Sequence, residues 1–455
     1  MTTRISRTNG TPTLTTKCTF SAWVKRSDSS INNSGLDAAL IETYTDSNNF
    51  AFIRFDGNDQ IQIYGKTSAG NQIVCDTDAK FRDPNAWYHI VAVLDSTEST
   101  SSDRVKLYVN GELQTFQGSP TFPSGEVLFN KASATLNLGN SQRYTSNFHF
   151  DGQYSHVHFI DGLAYQASTF GETDSTTGEW KINTSPSVTY GTNGFFMFKD
   201  DASLNDDSGN GNNFTVSSGS IQKSEDCPSN VFATMSPIDV SGLNAGYSTL
   251  TNGNTRQDTV SASQNSGSRS TLAVNSGKWY VEAKAFGSAS PEFRRIGILG
   301  MDSSTWRTAT NSALTSHAEG YAYKSSGDKG NNGNEVSYAN SYTNGDIVGI
   351  AFDADNGTIW FSKNGTWQNS ATITEIQNGT TTNSAFSSIP MTRFYGFAAT
   401  LAGATSNMGF EWNFGNGFFG TTAISSEGTN ASGIGKFEYD VPTGYTALST
   451  KGLNE

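Results

Sequence analysis

The chain has 455 residues, too long for one ordinary domain and suited to two or three. Hydrophobic residues make up 35%, aromatics 12% and charged residues only 16%, with 46 glycines and 29 phenylalanines; this mix fits an all-β protein rich in turns and argues against disorder. The 29 Lys plus Arg against 42 Asp plus Glu leave a formal charge of −13, and no basic cluster offsets it, so nucleic acid is excluded as a partner while neutral glycans and protein surfaces remain.

Residues 1–7 lack the apolar run of a signal peptide, and no later segment approaches the ~18 apolar residues of a membrane span, so a soluble chain without membrane insertion is expected. Cys18, Cys75 and Cys227 are far apart, which supports neither a disulfide framework nor a zinc site. Residues 18–24 read as the first clear strand, with Cys18 a small packed side chain. Residues 50–55 and 60–64 flank Asp56, Gly57, Asn58 and Asp59 and read as a hairpin. Strands follow at 87–94, at 104–111 with Val105, Leu107 and Val109 on one face, at 136–139, and at 156–160 before Asp161-Gly162.

Ala22-Trp23-Val24, Trp87-Tyr88-His89-Ile90-Val91-Ala92-Val93, Leu107-Tyr108-Val109-Asn110-Gly111-Glu112, Leu138-Gly139 and Phe150-Asp151-Gly152, in this order, resemble the laminin G-like branch of the concanavalin A-like jelly rolls. After Tyr190 the character changes. Residues 193–198 read as a last strand, 200–213 as a polar turn cluster, and 241–276 as Ser-, Thr-, Asn- and Gly-rich loops and short edge strands.

Residues 345–365 are the most informative stretch. Val348, Ile350 and Phe352 alternate with smaller or polar residues, Asn356-Gly357 turns the chain, Ile359 and Phe361 alternate again, and Asn364-Gly365 closes the run. With residues 277–284 and 394–398 this hairpin resembles the core of a SPRY domain, a β-sandwich that usually binds protein partners through its loops. The expected organisation is a jelly roll over 1–200, a connecting segment over 201–264, and a SPRY-like sandwich over 265–455 with a closing segment at 437–448: all-β, two antiparallel β-sandwiches.

Joined by His158-Phe159-Ile160-Asp161-Gly162, Phe170-Gly171-Glu172-Thr173-Asp174, Gly191-Thr192-Asn193-Gly194, residues 207–213 and residues 442–448, the pair looks like a family of marine bacteriophage structural proteins. The resemblance implies a virion surface component on a tail, fibre or capsid, made in the host cytoplasm. Its partners would be other virion structural proteins and a host-surface glycan or protein, and it would form a homo-oligomer or symmetric array. Ser6-Arg7-Thr8-Asn9-Gly10 follows the start almost at once, where members open with an extra strand; this departure weakens a fibre role and leaves capsid or tail decoration open.

No catalytic residues are expected. Glucanases of this fold place carboxylates as Glu-x-Asp-x-x-Glu on one strand, and the nearest match, Glu172, Asp174 and Glu179, has the wrong spacing across a turn. A depolymerase and a purely structural cement protein stay open as alternatives. His89, His149, His156 and His158 lack a third ligand at zinc spacing. No cofactor is required; calcium is the metal to consider, with Asp200, Asp201, Asp206, Asp207 and Asn210 able to supply hard oxygen ligands, although tight turns favour the same residues. Asn213, Asn356, Asn364 and Asn378 match glycosylation acceptors but read as turns. The expected ligand-binding residues, as a group, are Trp306, Tyr321, Tyr323, Tyr338, Tyr342 and Trp367, whose rings could stack on a sugar or anchor a protein; taken singly each favours core or edge packing, and Tyr321 and Tyr323 share one strand face, which suits burial of that pair.

Overall fold

The computed structural model describes residues 3–27, 37–144, 148–199, 201–241, 248–259, 265–287, 292–308, 313–403 and 408–454. It is nearly all-β, 45% strand and 5% helical. The chain forms two compact units, residues 1–223 and 224–455.

In the first unit a seven-stranded sheet runs Thr215–Ser218, Arg4–Thr8, Thr135–Leu138, Ala38–Asp46, Asn49–Phe55, Ile61–Thr67, Gly70–Asp76. A six-stranded sheet runs Phe195–Met197, Gly152–Asp161, Lys17–Arg26, Trp87–Asp95, Val105–Val109, Glu112–Leu113, and every pairing in the two sheets is antiparallel. Period-two alternation makes each strand two-faced. Thus Ile61 and Ile63 join Ile53, Phe55, Ile90 and Leu107 in the core, while Gln62 and Tyr64 stay half-exposed.

The strands Lys17–Arg26 and Trp87–Asp95 break that pattern, being buried on both faces. Val91 and Val93, on the face opposite Ile90 and Ala92, pack with Ile160, Ala167 and Phe170 and with the half-buried Trp180 and Tyr190. The segment after residue 162 therefore covers the outer face of this sheet, so its central strands read as continuous apolar runs in the sequence.

In the second unit a seven-stranded sheet runs Met235–Val240, Ser266–Ser270, Tyr395–Gly403, Glu292–Gly300, Gly320–Lys324, Asp328–Asn331, Asn334–Ser337. Its eight-stranded companion runs Ser248–Thr251, Arg256–Thr259, Gly409–Asn413, Lys278–Phe286, Ile347–Asp353, Thr358–Lys363, Thr366–Trp367; Thr446–Ala447 adds in parallel beside Lys278–Phe286. The hairpin of residues 345–365 has the register its alternation requires, with Ile350 opposite Phe361 and Asp353 opposite Thr358. Asp353, fully buried, accepts the N–H groups of Asp355 and Asn356 at 3.1 and 3.0 Å and so forms the turn.

The described strands within residues 201–264, the segment expected to connect, are divided between the sandwiches. Thr215–Ser218 is an edge strand of the first, whereas Met235–Val240, Ser248–Thr251 and Arg256–Thr259 belong to the second. Short polar edge strands carry little hydrophobic pattern, which is why the sequence reads them as linker.

One device recurs in both units. Glu42, cross-strand from Asn137, is fully buried; its carboxylate accepts hydrogen bonds from Asn137 Nδ2 at 3.0 Å, from the Ser141 hydroxyl, and from the N–H groups of Gln142 and Arg143. Glu282, cross-strand from Asn413 and equally buried, accepts from Asn413 Nδ2 at 3.4 Å, the Tyr280 hydroxyl at 3.0 Å, and the N–H groups of Glu438 and Tyr439 at 2.8 and 2.9 Å. Each glutamate fastens a covering segment to the outer face of its sheet. Burial pushes both carboxyls up, Glu282 to about 7, against the opposing pull of the donors.

Candidate binding site

The six aromatic residues expected to form a binding face do not form a surface. Trp306 is fully buried among Leu299, Leu314, Ala322 and Ala398. Tyr323, Tyr338 and Tyr342 are brought together in the core, with Tyr323 4.9 Å from Tyr342 and 5.7 Å from Tyr338 between ring centres. Tyr321 and Trp367 are half-buried and pack against the same core. Rings this large stabilise a sandwich most when removed from water, and the hydroxyls of Tyr323 and Tyr342 still reach backbone carbonyls, so burial leaves those two satisfied.

A polar depression lies beside Tyr323 instead. It has a volume of about 450 Å³ and is lined by Asn340, Ser341, Lys363, Asn364, Thr366 and Gln368. The Tyr323 hydroxyl donates to the Asn340 carbonyl from beneath. Gln368, 3% exposed, accepts from the Asn340 N–H and side-chain amide, both at 3.2 Å, and donates to the Thr366 carbonyl at 2.8 Å. Lys363 Nζ donates to the Ser341 carbonyl at 2.8 Å and pairs with Asp346 at 3.1 Å. Asn364, at φ 48°, accepts from the Ile347 N–H at 2.8 Å and donates to Asp346 at 2.7 Å, while Gly365 follows at φ 78°. Burial pulls the Asp346 carboxyl upward, but bonds from Thr343, Asn364 and Lys363 outweigh it and hold it below the usual carboxylate range.

Asn340, Lys363, Asn364 and Gln368 are thus pinned by their own hydrogen bonds, so the site offers amides and an ammonium in fixed directions beside the hydroxyls of Ser341 and Thr366. Such an array can bind a polar ligand; it contains no nucleophile paired with a base. Asn364-Gly365 is legible in the sequence as the closing turn, but Asn340 and Gln368 come from other connections and carry no local signal.

The expected calcium ligands are engaged in turns. Asp200 lies outside the described residues. Asp201 accepts from the Ser203 N–H at 2.8 Å, and Asp206 accepts from the N–H groups of Phe196, Ser208 and Asn212 and from the Ser208 hydroxyl. The Asn210 amide donates to the Gly191 and Gly194 carbonyls, and the Asp207 N–H donates to the Phe196 carbonyl. Among the described residues, no three His, Cys, Asp or Glu side chains come together as metal ligands.

His89 and His158 pack beneath the segment that covers the six-stranded sheet. The Trp180 indole N–H donates to His89 Nδ1 at 2.9 Å, so Nε2 carries the proton and donates to the Ser21 hydroxyl at 2.9 Å. His89 also stacks on Trp23 at 4.8 Å, and burial lowers its pKa to about 3. His158 meets the Tyr190 hydroxyl at 2.9 Å, stacks on Phe196 at 4.1 Å, and is held well below its ordinary value by burial. Gly111 is required beside this stack, at φ 82°, because a Cβ there would sit 2.5 Å from the Trp180 ring. Glu172 and Glu179 lie in solvent on the small hairpin Gly171–Thr173 and Trp180–Ile182, and Asp174 caps its turn and pairs with Lys181 at 2.9 Å. No dry cleft encloses them.

Residues 3–168 match the family described as concanavalin A-like lectin/glucanases superfamily, in its laminin G-like group, and residues 278–410 match the SPRY domain family. A search of curated proteins gives no match. Among solved structures, the SPRY domain of human HERC1 is 15% identical, with 39% of this chain and 96% of that chain covered and a TM-score of 0.30. The native heptameric SAP-like pentraxin from Limulus polyphemus is 12% identical, covering 40% and 86% with a TM-score of 0.28, and a human SPRY domain is 10% identical, covering 36% and 94% with a TM-score of 0.26. The chain therefore carries a laminin G-like, concanavalin A-like domain followed by a SPRY domain, a pairing of two modules that often mediate carbohydrate or protein binding.

Proposed function

We propose that the chain is a non-enzymatic recognition protein on the surface of a phage particle, where it contributes to host attachment by binding a glycan or protein. The observation that carries the recognition role is the depression over Asn340, Ser341, Lys363, Asn364, Thr366 and Gln368, in which the side chains of Asn340, Lys363, Asn364 and Gln368 are held by hydrogen bonds before any ligand arrives. Preorganised groups lose little conformational freedom on binding, which is the economy a receptor-binding surface needs. The phage setting rests on the linking phrases around Asp161-Gly162, Gly191-Thr192-Asn193-Gly194 and residues 442–448.

The test is binding of the purified full chain to host-envelope fractions, with Thr366→Arg as the variant. Thr366 is exposed, so a long cation there fills the depression without entering the core. At least a tenfold loss of binding is expected. Unchanged binding would move recognition elsewhere, and antibody-gold labelling of intact particles would overturn the virion role if no particle is decorated.

A further inference from the structure

On the outer face of the first unit's seven-stranded sheet, opposite the core side carrying Ala51, Ile53 and Ile63, lies a cluster of rings and guanidinium groups. Phe50 and Phe52 form its floor, with the half-exposed Tyr64 at 5.3 Å from Phe52, and Tyr144 and Phe148, 4.3 Å apart, edge onto that floor. Arg54 lies over Phe52 and Phe148 but is committed, paired with Asp37 and donating to Gln62 at 2.9 Å. Arg143 is different. Its guanidinium lies 4.6 Å over Tyr144 and 5.8 Å over Phe50, yet among the described residues it makes no ion pair and donates no hydrogen bond. In a chain with 42 acidic residues, a half-exposed arginine that stacks on rings without taking a carboxylate is positioned for something outside the chain.

Residues 141–144, which carry Arg143 and Tyr144, are also held in place. The buried Glu42 carboxylate captures the Ser141 hydroxyl and the N–H groups of Gln142 and Arg143, and the Ser141 oxygen accepts the Tyr144 N–H at 2.9 Å. The rings hold the guanidinium, and because its Nε is buried an outside acceptor meets the paired Nη groups, a fork that suits a planar, bidentate carboxylate better than a tetrahedral anion. Around it, Tyr64, whose hydroxyl donates to Asn71 at 2.8 Å, and the half-exposed Lys66 supply a flat ring and a polar fringe.

We infer that this face binds an acidic polysaccharide, with Arg143 taking the carboxylate of a sugar residue and the Tyr144 and Tyr64 rings flanking the sugar. The inference rests on the reading that this protein recognises carbohydrate. The net charge of −13 disfavours indiscriminate polyanion binding, so retention that depends on one arginine reports the site and not bulk charge.

The experiment is affinity electrophoresis of the full chain in native gels containing polygalacturonate, polyglutamate, dextran sulfate or a neutral β-glucan. Polygalacturonate should retard the protein, Arg143→Gln should weaken that retardation at least tenfold with an unchanged melting temperature, and Arg143→Lys should restore it only in part because it lacks the planar fork. Equal retardation by polyglutamate or dextran sulfate, or full retention in Arg143→Gln, would overturn the inference. Retardation by the neutral glucan alone would overturn it while leaving carbohydrate recognition standing; no retardation in any polysaccharide gel would remove both.

Discussion

Acidification from pH 7 to pH 5 is expected to cost the first unit about 2 kcal/mol through His89 alone. His89 is 1% exposed, and its two ring nitrogens already have opposite roles: Nδ1 accepts from Trp180 and Nε2 donates to Ser21. A second proton would set two N–H donors face to face inside a stack of Trp23 and Trp180, so burial depresses the folded pKa to about 3 from an ordinary 6.5. Below pH 6.5 the unfolded chain therefore binds a proton that the folded chain refuses. The stabilisation is complete above that value and declines by about 1.4 kcal/mol per pH unit until the folded pKa is reached. His158, shifted in the same direction, steepens the decline. Hydrogen exchange in peptides from Lys17–Arg26 and Trp87–Asp95 reads the opening free energy of this unit without interference from the other. His89→Gln keeps an acceptor for Trp180 and a donor for Ser21 but does not titrate, so its loss between pH 7 and 5 should be about 2 kcal/mol smaller than in the parent chain. An identical pH dependence in both proteins would refute the assignment of the tautomer and of the burial cost.

The second unit should respond to pH with the opposite sign. Glu282 is raised from an ordinary 4.5 to about 7, so between those values the folded state holds a proton that the unfolded chain releases, and stability falls by up to about 3 kcal/mol as pH rises through the window. Glu282→Gln should flatten that dependence, measured by exchange in peptides covering 437–448; a retained slope would show that another group titrates there. Asn364→Ala should lower the second unit's stability by about 1–2 kcal/mol, because Ala disfavours φ 48° and cannot accept from Ile347 or donate to Asp346. Thermal melting checks this, and an unchanged midpoint would refute it.

The aromatic residues show where sequence reasoning ran out. Trp306, Tyr338 and Tyr342 occupy segments that look like loops, and a loop's pattern does not say which side faces water, just as the short strand bearing Tyr323 does not say which face is covered; the sandwich drew them in because burying a ring returns more free energy than exposing it. Glu42 and Glu282 mark the converse limit. Each is a buried charge within a mostly buried strand, and its partners at Asn137 and residues 141–143, or at Asn413 and residues 438–439, become neighbours only once strand register is set. Arg143 likewise has no sequence signature, since an arginine in a turn ordinarily reads as solvated.

By itself the sequence determined the all-β class, the two sandwiches, and the hairpin from Gly345 to Gly365, because alternation and Asn-Gly turns act over a few residues and need no distant partner. Only the tertiary structure decided which sandwich owns the described strands within residues 201–264, which rings are core, and which polar groups converge. Those outcomes depend on strands separated by up to hundreds of residues lying side by side, and on the burial of charges whose cost is set by everything packed around them.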